Sequence, residues 1–270
     1  MSLSTPARLT LRVIALAYVL GLVAVPILVI LSQTFEPGVG AFLASVQTPA
    51  AISALNLSLL IVAVVVPLNV VFGVVTAIAL TRWRFPGRRL VQALVDLPFA
   101  VSPIVVGVAL IMLWGVTGWF GGLEAATGVR VIFGLPGMVI ATIFVTMPFV
   151  VREVEPVLTE IGTEQEQAAA TLGASGWQTF WRITLPAIRW GLTYGVVLTV
   201  ARALGEFGAV IMVSSGFPGV SQTLTLLVHS RYIDDHNTYG AYAAATLLMA
   251  VAIATLLLMT LLDHKRSAKS

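Results

Sequence analysis

The chain has 270 residues, 58% of them hydrophobic and 10% charged, with a formal net charge of +3 and a mean hydropathy of +0.99. A charged fraction so far below the value of about one quarter found in soluble domains excludes a soluble globular protein. The absence of cysteine excludes a disulfide framework, a thiolate nucleophile and a thiolate metal site. We therefore expect an integral membrane protein, and we interpret the pI near 9.6 through topology, not as a sign of nucleic-acid binding.

Six apolar runs are long enough to cross a hydrocarbon core about 30 Å thick, a distance that takes roughly 20 helical residues. They lie near residues 13–34, 53–81, 90–116, 135–151, 190–214 and 240–262. The first run is too long for a cleaved signal sequence, so it is expected to be retained as a span. The predicted fold class is all-α: a polytopic membrane protein with six transmembrane helices in one domain, residues 1–270.

The distribution of Lys and Arg residues predicts the orientation, because cytoplasmic loops of membrane proteins are enriched in them. Only Arg130 and Arg231 fall on the side opposite to most of the others. Twelve of the 15 share one side: Arg8, Arg12, Arg82, Arg84, Arg88, Arg89, Arg152, Arg182, Arg189, Lys265, Arg266 and Lys269. Both termini are therefore predicted to be cytoplasmic, as is loop 152–189 between the fourth and fifth spans.

The longest polar-containing interval of the chain lies within this loop. Two capping boxes, Thr163 with Glu166 and Ser175 with Gln178, predict two helix starts about a dozen residues apart. Gly173 stands between them and is expected to end the first helix. The loop is therefore predicted to form a helical hairpin that stands outside the membrane.

The two arms of this hairpin differ in composition. The first is rich in alanine at Ala168, Ala169 and Ala170, which favours helix and leaves a low surface that a groove of another protein can approach. The second places bulky residues at helical spacing on one face, and Pro186 is expected to end it. These bulky residues are Trp177, Phe180, Trp181 and Ile183.

The hairpin resembles the signature loop of importer-type ABC permeases, which reads Glu-Ala-Ala, three residues, Gly, nine residues, Ile, one residue, Leu-Pro. The matching residues here are Gln167, Ala168, Ala169, Gly173, Ile183, Leu185 and Pro186. Gln167 replaces the usual glutamate, so Glu166 has to supply the charge if docking needs it. The resemblance implies that the hairpin docks onto an ATPase subunit. The alternative, an amphipathic hairpin without a partner, explains neither the spacing nor the alanine face.

A pair of ionisable residues lies inside the predicted fifth span. Such residues are costly within a membrane and therefore mark a functional-site hypothesis. Arg202 and Glu206 are four positions apart, so on one helix they face each other and partly neutralise each other. Two interpretations remain open: the pair fixes helix packing, or it lines or gates an anion path. In the second interpretation Gly205 and Gly208 let neighbouring helices approach closely.

Three further stretches look like the W-type permease subunit of bacterial sulfate/thiosulfate importers. They are Asp96–Pro103, Ile188–Val196 and Ala201–Val210, and the similarity runs over most of residues 50–262. Molybdate permeases are similar at Leu204–Gly208, so molybdate or another tetrahedral oxyanion is the alternative substrate.

This resemblance implies the fold of a type I ABC importer permease in the inner (cytoplasmic) membrane. It also implies a second, related permease as partner, together with two ATPase subunits and an external sulfate-binding protein. Ser102, in the third span, joins Arg202, Gly205, Glu206 and Gly208 as a candidate for the translocation path or its gate.

Motifs for an enzymatic function are missing from the sequence. The only lysines, Lys265 and Lys269, lie in the C-terminal tail, so the chain carries no phosphate-binding G-x-x-x-x-G-K-[ST] loop. It has neither a G-x-S-x-G nor an H-E-x-x-H motif. We therefore expect a non-enzymatic chain without cofactor or metal, whose ATP is bound by partner subunits. A stand-alone secondary carrier or a membrane scaffold is the alternative of a different class, although a carrier is expected to show paired repeats.

Overall fold

The computed structural model describes residues 5–267, except for the side chains of residues 5–9, 123–125, 258 and 260–267. Residues 1–4 and 268–270, which include Lys269 and both predicted cytoplasmic termini, lie outside the described residues. Within the described part all regular secondary structure is helical. In chain order the α-helices are α1 (Thr5–Phe35), α2 (Val39–Val46), α3 (Pro49–Arg82), α4 (Arg88–Ala100), α5 (Pro103–Trp114), α6 (Gly121–Thr127), α7 (Leu135–Ile161), α8 (Glu164–Thr171), α9 (Gly176–Thr179), α10 (Leu185–Leu204), α11 (Gly208–Val213), α12 (Leu224–His229) and α13 (Thr238–Ser267).

Five helical stretches in residues 5–267 are long and apolar enough to cross a membrane, and a bent pair of helices brings the number to six. The straight candidates are Thr10–Phe35, Pro49–Arg82, Leu135–Ile161, Gly176–Leu204 and Thr238–Leu257. The all-α class predicted from composition is therefore confirmed, whereas two of the predicted segments differ in detail.

The third predicted segment, 90–116, is not one helix. The two helices α4 and α5 meet there at an angle of 114°. Val101 and Ser102 between them have extended backbone, with ψ angles of 133° and 134°. The cause is Pro103, because the ring of a proline disfavours helical geometry in the residue before it, while the proline itself begins α5.

The fifth predicted segment, 190–214, is also interrupted. Helix α10 ends at Leu204, Gly205 is its C-cap, and the short helix α11 begins only at Gly208. Glu206 therefore lies beyond the end of α10, and the expectation that it shares one helix with Arg202 is wrong. Glycine is a poor helix former, which favours the break at this point.

The expectation that Pro186 ends the second arm of the hairpin is wrong as well. A π-helical turn, Phe180–Thr184, joins α9 to α10, and Pro186 lies in the first turn of α10. An α-helix would bond residue 186 to the carbonyl of Arg182, a bond that proline cannot make. The wider π-helical turn ahead of it accommodates that loss, so the helix continues into the bundle.

Helix α7 forms the centre of the bundle and packs against α3 and α10. Small residues make this packing close: a Cβ atom added to Gly73 would lie 2.7 Å from Cβ of Val150, and one added to Gly191 would lie 2.5 Å from a backbone oxygen of α7. Asn69 and Thr146 are buried and share a hydrogen bond of 2.6 Å between α3 and α7. These contacts hold the long helices in a defined register.

Helix α1 lies at the edge of the bundle, where it packs against α2 and α13. Most of its described side chains are exposed and apolar, as expected of a surface that faces lipid. A buried hydrogen bond of 2.8 Å between Thr34 and Thr246 attaches its end to α13.

Candidate functional site

The predicted hairpin is present as α8 followed by α9. Ser175 accepts a hydrogen bond from the backbone N–H of Gln178 at 3.3 Å, and the Gln178 side chain accepts one from the Ser175 N–H at 2.9 Å, so this capping box is confirmed. Gly173 ends α8 with a φ angle of +83°, a left-handed conformation that suits glycine. The N–H of Ala174 donates to the Ala169 carbonyl at 3.0 Å, which completes a Schellman-type helix end.

The predicted capping box of Thr163 with Glu166 is wrong. The Thr163 side chain does not cap the backbone of α8, and its hydroxyl instead accepts a hydrogen bond of 3.0 Å from the Gln167 side chain. Glu166 turns toward Arg82 at the end of α3. A guanidinium attracts a carboxylate more strongly than an exposed backbone N–H does, and this explains the change of partner.

Arg82 and Glu166 form a bidentate ion pair between α3 and the hairpin. Nε of Arg82 lies 2.9 Å from one carboxylate oxygen and Nη2 lies 3.1 Å from the other. Arg82 also donates through Nη1 to the carbonyl of Leu158 in α7 at 2.9 Å, and the Thr184 hydroxyl donates to Glu166 at 3.1 Å. One carboxylate thus connects α8 with α3 and with the π-helical turn that leads into α10.

The alanines of α8 do not share one exposed face. Ala169 is buried within the chain, whereas Ala168 and Ala170 are exposed. The expectation that Ala169 contributes to a free docking surface is therefore wrong, since α8 packs through this side against α9 and the π-helical turn. Leu172, at the tip of the hairpin, is 88% exposed and presents an apolar side chain one helical turn after Ala168.

The aromatic residues of the second arm cluster as their spacing predicted. The ring centroids of Trp177 and Trp181 are 5.4 Å apart, as are those of Phe180 and Trp181. The cluster borders an apolar cavity of about 570 Å³ against one face of α3. Of the other motif residues, Ile183 and Leu185 are half-buried, and Gln167 and Pro186 are exposed.

The two interruptions, one between α4 and α5 and one between α10 and α11, lie against each other because α11 packs on α5. A Cβ atom added to Gly208 would lie 3.0 Å from Cβ of Pro103, so the close approach predicted at Gly208 is present. Gly205 is exposed, and an added Cβ would meet only backbone oxygens of its own helix, so the expectation of close approach there is wrong. Ser102 stands exposed at the first interruption.

The carboxylate of Glu206 is enclosed at the second interruption, with 1% of its side chain exposed. Nη1 of Arg202 lies 2.7 Å from one of its oxygens, and the other accepts a hydrogen bond of 2.7 Å from the N–H of Ala209 in α11. The Glu206 carbonyl accepts a hydrogen bond of 2.9 Å from Thr225 in α12. Glu206 therefore joins three helices, whereas Arg202 keeps 32% of its side chain exposed.

A cavity of about 630 Å³ opens beside this interruption. Its wall includes Gly205, and the ring of Phe207 lies 5.2 Å from that of His229 across the same region. The wall is mostly apolar, its polar side chains are Thr225, His229 and Tyr232, and Arg202 is not among the residues that line it.

At the end of the bundle away from the hairpin, the buried Arg231 connects several segments. It donates to the carbonyl of Gly240 at 3.0 Å, to the hydroxyl of Thr48 at 2.9 Å and to both the hydroxyl and the carbonyl of Ser45. Burial lowers the pKa of Arg231 from its ordinary value, and the nearby charge of Asp235 partly opposes this effect. Among the residues described, no group of His, Asp and Glu is arranged to hold a metal ion.

Sequence reasoning missed the roles of Arg82, Thr184 and Asn69. Arg82 and Glu166 are 84 positions apart, so no local spacing points to their contact. The only available signals were a carboxylate without a local partner on α8 and a polar Asn69 inside an apolar run.

Comparison with known proteins relates this geometry to a family. A family model described as "Binding-protein-dependent transport system inner membrane component" matches residues 69–268. The chain belongs to this family. Its members are membrane components of transport systems, which agrees with a polytopic helical bundle and with the signature hairpin.

Curated members of the family are similar over nearly the whole chain. "Sulfate permease 2, chloroplastic" of Chlamydomonas reinhardtii is 49% identical over 95% of this chain and 69% of its own length. "Sulfate transport system permease protein CysW" of Synechococcus elongatus is 46% identical over 95% of this chain and 90% of its own length. "Sulfate transport system permease protein CysT" of Synechocystis is 34% identical over 93% of this chain and 88% of its own length.

Two solved structures share the fold of this chain. A bacterial ABC transporter involved in the import of the acidic polysaccharide alginate has a chain that matches with a TM-score of 0.75 at 19% identity, over 96% of this chain and 94% of that one. A bacterial alginate ABC transporter in complex with an alginate pentasaccharide-bound periplasmic protein has a chain that matches with a TM-score of 0.76 at 20% identity, over 94% of this chain and 91% of that one.

Proposed function

We propose that this chain is the permease subunit of an ATP-driven importer that moves sulfate or thiosulfate across the inner membrane. The observation that carries the proposal is the 46% identity with a CysW protein over 95% of this chain. The identity with CysT proteins is lower, at 34%, which favours the W-type subunit.

The importer has further subunits. A second permease of the CysT type pairs with this chain, two ATPase subunits bind ATP, and an external sulfate-binding protein delivers the anion. Similarity to both CysW and CysT proteins supports a pair of different permeases. The chain itself binds no cofactor and performs no covalent chemistry. Its termini and hairpin are cytoplasmic, an orientation supported by the side preference of the Lys and Arg residues.

The hairpin is the surface that meets an ATPase subunit. Its exposed tip presents Ala168 and, one turn later, Leu172, which form a low apolar patch. Burial of such a patch in a groove stabilises a complex without a charged partner. When ATP closes the ATPase pair, the hairpin moves with it, and the bundle opens toward the binding protein.

Arg202 meets the anion during its passage, and Glu206 holds the arginine in place. The support is geometric: Glu206 is enclosed among helices, and Arg202 is partly exposed at two adjoining helix interruptions. Interrupted helices inside a membrane are tolerated where they are buried or line a cavity. The exposed Ser102 and the close contact at Gly208 complete the region through which the anion passes.

Uptake of radiolabelled sulfate by a bacterial strain that lacks its own W-type permease tests this function. The strain receives this chain with its partner permease, ATPase and binding protein, and an otherwise identical strain lacks this chain. Uptake that depends on the chain, with unlabelled thiosulfate competing and molybdate not competing, is the expected result. Chain-dependent uptake of radiolabelled molybdate but not of sulfate would assign the importer to molybdate, and uptake that persists without ATP hydrolysis would indicate a secondary carrier.

A further inference from the structure

The hairpin is connected to the bundle by a largely buried ion pair. The side chains of Arg82 and Glu166 are 11% and 22% exposed, and two separate N–H···O contacts join them. A bidentate pair of this kind fixes direction as well as distance. A second ion pair between helices of the bundle, Arg152 with Asp96, uses one carboxylate oxygen and is about half exposed. The two pairs therefore differ in burial and in the number of carboxylate oxygens that they use.

We infer that Arg82 and Glu166 are the positioning pair through which movement of the hairpin reaches the membrane helices. Arg82 is the last residue of α3, and its Nη1 also holds the Leu158 carbonyl near the end of α7. Glu166 in addition accepts from Thr184, directly before α10. A displacement of α8 thus acts on the ends of α3, α7 and α10, which are the helices that pack together at the centre of the bundle.

The substitution within the signature motif supports this role. The motif position that usually carries glutamate holds Gln167, which is exposed and neutral, whereas the carboxylate stands one residue earlier and points inward. Successive residues on an α-helix point in directions about 100° apart, so Glu166 and Gln167 cannot serve the same surface. The exposed acidic side chain of α8 is therefore Glu164 at its start, the signature position Gln167 is neutral, and Glu166 serves the connection to α3.

This inference rests on the proposed function, and the complete importer tests both. The assembled complex, with its partner permease, ATPase subunits and sulfate-loaded binding protein, is reconstituted in liposomes. Sulfate uptake and ATP hydrolysis are measured in the same sample. Arg82→Gln and Glu166→Gln are expected to hydrolyse ATP but to lower the sulfate moved per ATP by about fivefold or more, the low end of typical coupling between linked sites. Arg82→Lys keeps the charge but loses the bidentate contact. Its sulfate moved per ATP is expected to lie between that of the two glutamine variants and that of the wild type.

Arg152→Gln is the matched control, because it removes an exposed ion pair between helices of the same bundle. Its ratio of uptake to hydrolysis is expected to equal that of the wild type. Arg82→Gln and Glu166→Gln complexes that assemble and keep the wild-type ratio would overturn the inference. If either fails to assemble, Arg82→Lys and Thr184→Val decide, and a wild-type ratio in both also overturns it. A wild-type complex that moves no sulfate would instead refute the proposed function.

Discussion

Replacement of Arg202 and Glu206, singly and together, distinguishes a role of the pair in helix packing from a role of Arg202 in contacting the anion. The two side chains differ in burial: Glu206 is 1% exposed and Arg202 is 32% exposed. Loss of Arg202 and loss of Glu206 should therefore lower the stability by different amounts. In Arg202→Gln the enclosed Glu206 carboxylate keeps only its hydrogen bond from the backbone N–H of Ala209. An uncompensated buried charge costs about 3–5 kcal/mol, and we expect about 3 kcal/mol because the Ala209 N–H still donates to the carboxylate.

Glu206→Gln should be far milder. The amide oxygen of glutamine can still accept the hydrogen bond from Ala209, and the remaining arginine is partly hydrated, so the cost should be about 1 kcal/mol or less. The double variant has no buried charge and should regain most of the lost stability. The double variant is then about 1 kcal/mol less stable than the wild type, and the coupling energy between the two positions is about 3 kcal/mol.

Three measurements distinguish the alternatives. Unfolding of the purified complex in detergent gives stability, and co-purification with the ATPase shows assembly. Sulfate uptake reports on the path. We expect Glu206→Gln to transport, Arg202→Gln to lose uptake, and the double variant to regain stability without regaining uptake. Uptake that returns together with stability in the double variant would show that the pair serves packing alone.

The remaining predictions concern the hairpin tip, helix packing and orientation. Leu172→Ser should leave the stability of the isolated subunit unchanged but weaken ATPase binding about tenfold, because roughly 1.5 kcal/mol of apolar burial is lost; Gln165→Ser on the same helix is the control for a pull-down titration, and equal binding by both variants would contradict the docking role. Gly73→Ala should destabilise the subunit by about 1–3 kcal/mol, since its Cβ would lie 2.7 Å from both Cβ and Cγ1 of Val150. Val150→Gly removes both atoms, so in thermal unfolding the double variant should lose less stability than the two single variants added together. Single cysteines at Gln165 and Asp235 of this cysteine-free chain should react with an impermeant thiol reagent from opposite sides of the membrane, and reaction of both from outside would contradict the proposed six-span topology.

Features that depend on neighbouring residues were determined by the sequence itself. The length of an apolar run sets whether a helix can cross a membrane, and this predicted the helical bundle. The capping box of Ser175 with Gln178 and the left-handed Gly173 follow from local backbone chemistry, so their positions could be predicted without knowledge of the bundle. The motif spacing predicted the hairpin for the same reason.

Features that depend on competition between distant groups were decided only by the tertiary structure. Glu166 had a local partner available in the backbone of α8, yet Arg82, 84 positions away, offers a charged bidentate partner in a partly desolvated site and displaces it. Burial of Ala169 likewise depends on how α8 packs on the arm that follows it. The sequence placed Arg202 and Glu206 four positions apart, which predicted that they face each other. Only the tertiary structure decided which charge is enclosed, because α10 ends between them and α11 and α12 pack around Glu206.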